Sequence, residues 1–162
     1  DARNHAGFSP LHFAVWAKQS AAVQVLLQHG SDLLAKNVRP GAEGSIPCPT
    51  GCTPLHLAAM RGHVEISRIL LKTYCERVLE PLTVQAGTGP AAAALQRNLT
   101  SLDPRSQANA SSHVPYQVAQ RMGFVSLAVL LRPNIPLMRL FSEEERAARF
   151  YGPPPLALLT AG

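Results

Sequence analysis

The residues that could bind a metal ion or act as a nucleophile are few in this chain. Cys48 and Cys52 are separated by three residues, and His56 and His63 follow closely, a combination that suggests a zinc site. This spacing is not that of a standard zinc finger. The alternative is a structural role for His56 and a packed or turn position for Cys52, and we favour it. Cys75 has no neighbouring base or orienting group, so burial is its expected role.

Other catalytic patterns are also missing. The Gly87-Thr88-Gly89 segment lacks the lysine and the following helix of a phosphate-binding loop. Glu143 to Glu145 fall in the first turn of a predicted helix, where a solvated face is expected rather than a carboxylate pair. We therefore predict no catalytic residue, no metal, no cofactor and no enzymatic activity.

Composition restricts the class of protein further. Hydrophobic residues make up 46% of the 162-residue chain, which is enough for a core, and its apolar runs are too short for a membrane-spanning helix. The net charge is +5, but the arginines are scattered without interleaved aromatic residues, so a solvated surface is favoured over a nucleic-acid site. Three cysteines are an odd number and favour a reducing compartment, hence an intracellular protein of the cytoplasm or nucleus.

Two segments of the chain repeat one pattern. Residues 7–15 read GFSPLHFAV and residues 51–59 read GCTPLHLAA, and a leucine pair follows each at the same offset. A weaker copy, VPYQVA, covers residues 114–119 and is followed by Leu130 and Leu131. Ser9 and Thr53 are suited to cap a helix whose first residue is proline. Gly62 is suited to end that helix, since glycine tolerates the left-handed conformation.

The repeated segments resemble the ankyrin repeat, whose signature is T-P-L-H-x-A with a period of 33 residues. The resemblance implies an all-α solenoid of about three helix-turn-helix repeats, near residues 4–36, 50–74 and 112–132 of a repeat region spanning 1–133. It implies that the histidine of the signature is structural, with its ring bonded into the neighbouring turn. The residues expected to have repeat-structural roles are Pro10, Leu11, His12, Thr53, Pro54, Leu55, His56, Gly62 and Gly123.

The spacing departs from the family pattern. Pro10 and Pro54 are 44 residues apart, and Pro54 and Pro115 are 61 apart. We therefore predict two loop insertions, near residues 38–49 and 75–111, and expect the second to be mobile. A C-terminal extension, 134–162, should contain a short capping helix near 142–151 that begins at Ser142, with Phe141 among the residues that cap the last repeat. The tail stops abruptly, so we expect a piece of a longer protein.

The resemblance also implies a function, which is to bind another protein through the concave face of the stack. Trp16 lies at a surface-prone position and is either a binding residue or a packing residue against a neighbouring repeat. With its counterparts in the later repeats it suggests a surface that consists of Trp16, Met60, Arg61, Gln120 and Arg121. The identity of the partner stays open, and a monomer is favoured.

A narrower resemblance concerns the third copy. Residues 114–133 look like the last repeat of plant ankyrin-RING ubiquitin ligases, which also have an irregular Gly/Pro-containing segment before a T-P-L-H-L-A-A repeat, as residues 41–53 do here. This implies an alternative function, the substrate-recognition segment of a RING-type ligase whose RING lies outside this chain. A further alternative is the ankyrin segment of a transcriptional regulator.

Overall fold

The computed structural model describes residues 3–41, 46–79, 90, 103–142 and 144–145, and these residues form helices and loops without a strand. The helices are α1 (Pro10–Trp16), α2 (Ser20–Gln28), α3 (Pro54–Arg61), α4 (Val64–Tyr74), α5 (Pro115–Arg121) and α6 (Val125–Leu130). A π-helical segment, Cys75–Leu79, continues α4, and short 3-10 helices lie at Pro104–Ser106 and Leu137–Arg139.

These six helices of the described residues form three pairs, α1/α2, α3/α4 and α5/α6, that stack in chain order. α1 contacts α3 and α3 contacts α5, so these three form an inner layer, and α2 contacts α4 in an outer layer. The arrangement is that of an all-α repeat. The core lies between the layers, where Leu27, Leu70, Leu71 and Leu131 are buried. The leucines of the repeated pattern therefore hold the two layers together.

Helices α1 and α3 begin as their sequences predict. The hydroxyls of Ser9 and Thr53 accept hydrogen bonds from the third backbone N–H of their helices, and proline occupies the first position, where no N–H is needed. Gly62 ends α3 with φ of +71°. At the corresponding point after α1 the chain has Lys18, which adopts φ of +57° without being glycine.

The described parts of the second insertion are ordered rather than mobile. Its first residues extend α4 as the π-helical segment, and its last ones, from Asp103 onward, are packed against the third helix pair. The buried Arg105 donates to both carboxylate oxygens of Asp103 and to the carbonyls of Arg132 and Ile135. This clamp overturns the expectation of mobility for residues 103–111. Residues 80–89 and 91–102 lie outside the described residues.

The C-terminal extension returns to the second helix pair. Ser142 and Glu145 exchange the hydrogen bonds of a capping box: the Ser142 N–H donates to Glu145 Oε2 at 2.8 Å, and the Glu145 N–H donates to Ser142 Oγ at 3.1 Å. The rest of the predicted 142–151 helix lies outside the described residues. Phe141 was expected to cap the last repeat, but its ring lies under the cationic groups of Arg68 and Lys72 on α4. Its place is therefore on the second helix pair.

Among the described residues, no helix combines the length and apolar character that crossing a membrane requires.

Candidate functional site

Two residues of the predicted binding surface meet across the first two helix pairs. Arg61, at the end of α3, places its guanidinium carbon 4.5 Å from the centroid of the Trp16 ring, at the end of α1. Arg61 is exposed and Trp16 is half-buried, with one part of the ring packed against the core. Cation–π contacts of this kind hold both side chains in place at the surface.

The neighbouring positions extend this surface along the inner layer. Met60 is half-buried next to Arg61. Arg121, at the end of α5, is exposed and lies 2.9 Å from Nε2 of His113, which precedes the same helix. We call Trp16, Lys18, Met60, Arg61 and Arg121 the inner-layer surface.

Gln120 is exposed on α5 next to Arg121, and its part in the binding surface stays a prediction. It lines a depression with Tyr116, Arg132, Pro133 and Asn134 on the third helix pair. Its counterparts in the repeated pattern, Val15 and Ala59, are fully buried against the following helix pair. Gln120 therefore lies on the end of the described stack, where a polar residue suits contact with solvent. The apolar type of these two counterparts is the sequence signal that sets Gln120 apart from the other predicted surface residues.

Lys18 was missed by the sequence analysis. It is exposed in the turn after α1, and its charge reaches His63, as does that of Arg61. The backbone of Trp16 also lies near enough to His63 to affect its pKa, so these residues cluster at one place. Burial, together with the two cations, lowers the pKa of His63 below its ordinary value. The signal available in the sequence was that Lys18 replaces the glycine of the other two copies.

The signature histidines connect consecutive helix pairs. His56 Nε2 donates to the carbonyl of His113 at 2.9 Å, just before α5, and His12 Nε2 donates to the carbonyl of Cys52 at 3.0 Å, just before α3. In each ring Nδ1 accepts from the backbone N–H of the capping residue, Ser9 or Thr53, at 3.0 Å. Each histidine thus holds its own helix cap and the start of the next pair.

These bonds require the neutral form of both rings. A proton on Nδ1 would remove the acceptor of the capping N–H, and the rings are fully buried. Burial lowers the pKa of His56 from 6.5 to about 4, partly offset by its bond to His113, and burial also lowers the pKa of His12. Both histidines are therefore structural and uncharged at neutral pH.

The cysteine and histidine residues that suggested zinc do not assemble. Cys48 and Cys52 are buried free thiols, and the neighbouring Cys52 together with burial raises the pKa of Cys48. Both ring nitrogens of His56 are used by backbone groups, and His63 lies next to Trp16. Within the described parts of the chain, no three His, Cys, Asp or Glu side chains are grouped as metal ligands.

A cavity of about 230 Å³ lies between α2, α4 and the C-terminal segment. Arg68 pairs with Glu145 at 2.9 Å, and the buried Lys72 lies 3.7 Å from Glu76. The cations at this cavity thus have carboxylate partners from the chain itself, which favours a role in docking the C-terminal segment. The residues around the cavity are Gln24, Glu65, Arg68, Ile69, Lys72, Phe141 and Glu145.

Comparison with known proteins identifies the repeated segments. The family model described as ankyrin repeat matches residues 6–38 and 50–77, which are the first two helix pairs with the loop after the first. No curated protein matches the chain significantly. The family match, the stacked helix pairs and the capping histidines agree: residues 6–38 and 50–77 of this chain are ankyrin repeats.

Proposed function

We propose that this chain binds a partner protein through the inner-layer surface. Ankyrin repeats generally mediate interactions between proteins, and no described group of residues offers an alternative chemistry. The observation that carries the proposal is the stacking of Arg61 on Trp16. It joins two helix pairs into one continuous surface that presents a large aromatic residue and an arginine, two of the residue types most enriched at binding hot spots.

The test is affinity capture with the full chain, with identification of the retained proteins by mass spectrometry. The wild type is compared with a variant in which Trp16, Met60, Arg61 and Arg121 are all replaced by serine. We expect the specific partner to be lost from the variant. Because Trp16 and Met60 are half-buried, a milder variant, Arg61→Ser with Arg121→Ser, is run in parallel, and circular dichroism verifies the folding of both.

A matched control changes the opposite layer. Val25 on α2 and Val129 on α6 are about half exposed, and the double variant Val25→Ser, Val129→Ser should retain the partner. Full retention by the folded inner-layer variants contradicts the proposal. Loss on the control variant alone would move the binding surface to the outer helices.

A narrower proposal concerns the parent protein. The third helix pair carries the segment that resembles plant ankyrin-RING ligases, and such a parent would use this chain to hold substrates for ubiquitination. A transcriptional regulator is the other proposed parent, and three buried free thiols suit an intracellular location for either. Sequencing the transcript beyond this chain tests both: a RING pattern of Cys and His ligands supports the ligase, and a basic DNA-binding domain supports the regulator.

A further inference from the structure

We infer that the partner segment held by the inner-layer surface is an acidic, extended peptide, with carboxylates spaced about three residues apart. The inference rests on the proposed function and specifies the chemistry of the partner. It follows from which charges the inner helices carry, how far apart packed helices lie, and where the described carboxylates are placed.

The inner layer carries positive charge without carboxylates. Helices α1, α3 and α5 read PLHFAVW, PLHLAAMR and PYQVAQR, and none contains aspartate or glutamate. The turns that follow them add Lys18 and no acid. The exposed cations of this surface are therefore Lys18, Arg61 and Arg121, one on each successive helix pair.

The carboxylates of the described residues are engaged elsewhere. Asp32, Asp103, Glu76 and Glu145 form ion pairs with Arg3, Arg105, Lys72 and Arg68 respectively. Glu65 belongs to the outer helix α4 and Glu144 to the C-terminal segment. The three cations of the inner-layer surface have no carboxylate partner among the described residues, so a partner can supply it.

The spacing of neighbouring helices favours an extended conformation of the partner peptide. Neighbouring packed helices lie about 8–10 Å apart, and an extended chain advances about 3.3 Å per residue. A peptide that crosses the inner layer at right angles to the helices therefore meets the next cation after about three residues. Trp16 offers an apolar contact beside the first two cations, because Arg61 lies over its ring.

The same surface suits nucleic acid poorly. Single-stranded nucleic acids are held by successive aromatic side chains and a continuous basic groove. Among the five residues of the inner-layer surface Trp16 alone is aromatic, and the guanidinium of Arg61 already covers a face of its ring. Three isolated cations with methionine between them match carboxylates on a peptide better than a phosphate backbone.

The experiment uses the full chain and a labelled synthetic peptide of alternating serine and alanine, with glutamate at every third position. Fluorescence anisotropy measures its affinity, and the emission of Trp16, the single tryptophan of the chain, reports binding at the surface. In the variant Arg61→Gln, Arg121→Gln, the loss of each arginine should weaken binding of the peptide by about twofold to fivefold. The control variant Arg132→Gln, Arg139→Gln removes two exposed charges outside the inner layer and should bind as the wild type does.

The expected result is binding that weakens with salt, changes Trp16 emission, and is lost when glutamine replaces glutamate in the peptide. Equal losses in the two variants, equal binding of the glutamine peptide, or tighter binding of a single-stranded oligonucleotide to the same residues would overturn the inference. If the peptide fails to bind while the captured partner still depends on Trp16, the proposed function stands and the acidic chemistry is wrong. If neither depends on this surface, both proposals fail.

Discussion

The protonation state of His56 should determine how the stability of the protein depends on pH. The ring accepts a hydrogen bond from the Thr53 N–H and donates one to the carbonyl of His113, and only the neutral form does both. The substitution that isolates this effect is His56→Gln. Gln117 occupies the same position in the third helix pair, where its side-chain oxygen accepts from the Val114 N–H at 3.0 Å. Glutamine is therefore compatible with the helix cap but does not titrate.

The magnitude follows from the pKa of His56, which burial lowers from 6.5 to about 4. The unfolded chain binds more protons than the folded chain between these values, so the free energy of unfolding falls as the pH decreases from about 6.5 to about 4. Each pKa unit is worth about 1.4 kcal/mol, so His56 alone removes about 2.5 kcal/mol by pH 4.5. At pH 7 the variant loses the bond to His113, which costs about 1 kcal/mol.

The two stability profiles should therefore cross. Urea denaturation followed by circular dichroism at pH values from about 7 to about 4.5 gives the unfolding free energy of each protein. The variant should be the less stable at pH 7, by about 1 kcal/mol, and the more stable at pH 4.5. The exposed His29 supplies the control, because the variant His29→Gln should follow the wild-type profile throughout.

Parallel profiles for the wild type and His56→Gln would refute the reasoning, since they would mean that His56 is protonated equally in the folded and unfolded states. His12 has the same bonds and a lowered pKa. His12 therefore keeps part of the acid sensitivity in the His56→Gln variant, so the slope of the unfolding free energy against pH should decrease without vanishing. A slope that is unchanged below pH 6.5 excludes a contribution from His56.

Three further predictions concern stability. Asp103→Asn leaves the buried Arg105 without its carboxylate and should lower the unfolding free energy by about 3 kcal/mol in urea titrations, and a loss below about 1 kcal/mol would contradict this. Gly62→Ala places a methyl group 2.8 Å from the ring of Phe124 at a φ of +71°, whereas Gly30→Ala meets no atom within 4 Å at a φ of +85°. Gly62→Ala should therefore lower Tm more than Gly30→Ala. Equal decreases would show that backbone strain alone determines the loss of stability. The described part of the chain has three helix pairs, which are few for a repeat array, so the chain on its own should be marginally stable and unfold over a broad range in calorimetry. A sharp transition at high temperature would contradict this prediction.

Local features of the fold were predictable because they depend on a few adjacent residues. The caps formed by Ser9 and Thr53 and the glycine that ends α3 follow from chemistry within one helical turn. The contact of Arg61 with Trp16 spans 45 residues, but the repeated pattern placed both near the ends of equivalent helices. Aligning the copies therefore indicated which residues that are distant in sequence lie on the same surface.

Aligning the copies could not predict the clamp between Asp103 and Arg105. It lies in an insertion that has no counterpart in the other copies, and two of its acceptors are backbone carbonyls on the far side of α6. Backbone acceptors carry no side-chain signature, so the sequence around residue 105 resembled a mobile loop. The packing of Phe141 on α4 was not predicted for a similar reason, since it depends on the path that the chain takes after α6.

Gln120 shows how the last helix pair of the described stack differs from the two pairs before it. A position that is buried in the first two pairs, at Val15 and Ala59, becomes exposed where the third pair ends the described stack. A polar residue there stabilises an open end, while an exposed polar residue on the inner layer would instead contribute to binding. Exposure alone therefore does not identify a binding residue in a repeat array. What separates Arg61 and Arg121 from Gln120 is the exposure of their positions in the middle helix pair. Arg61 is exposed there, and Met60, the counterpart of Arg121, is half-buried, whereas Ala59, the counterpart of Gln120, is fully buried.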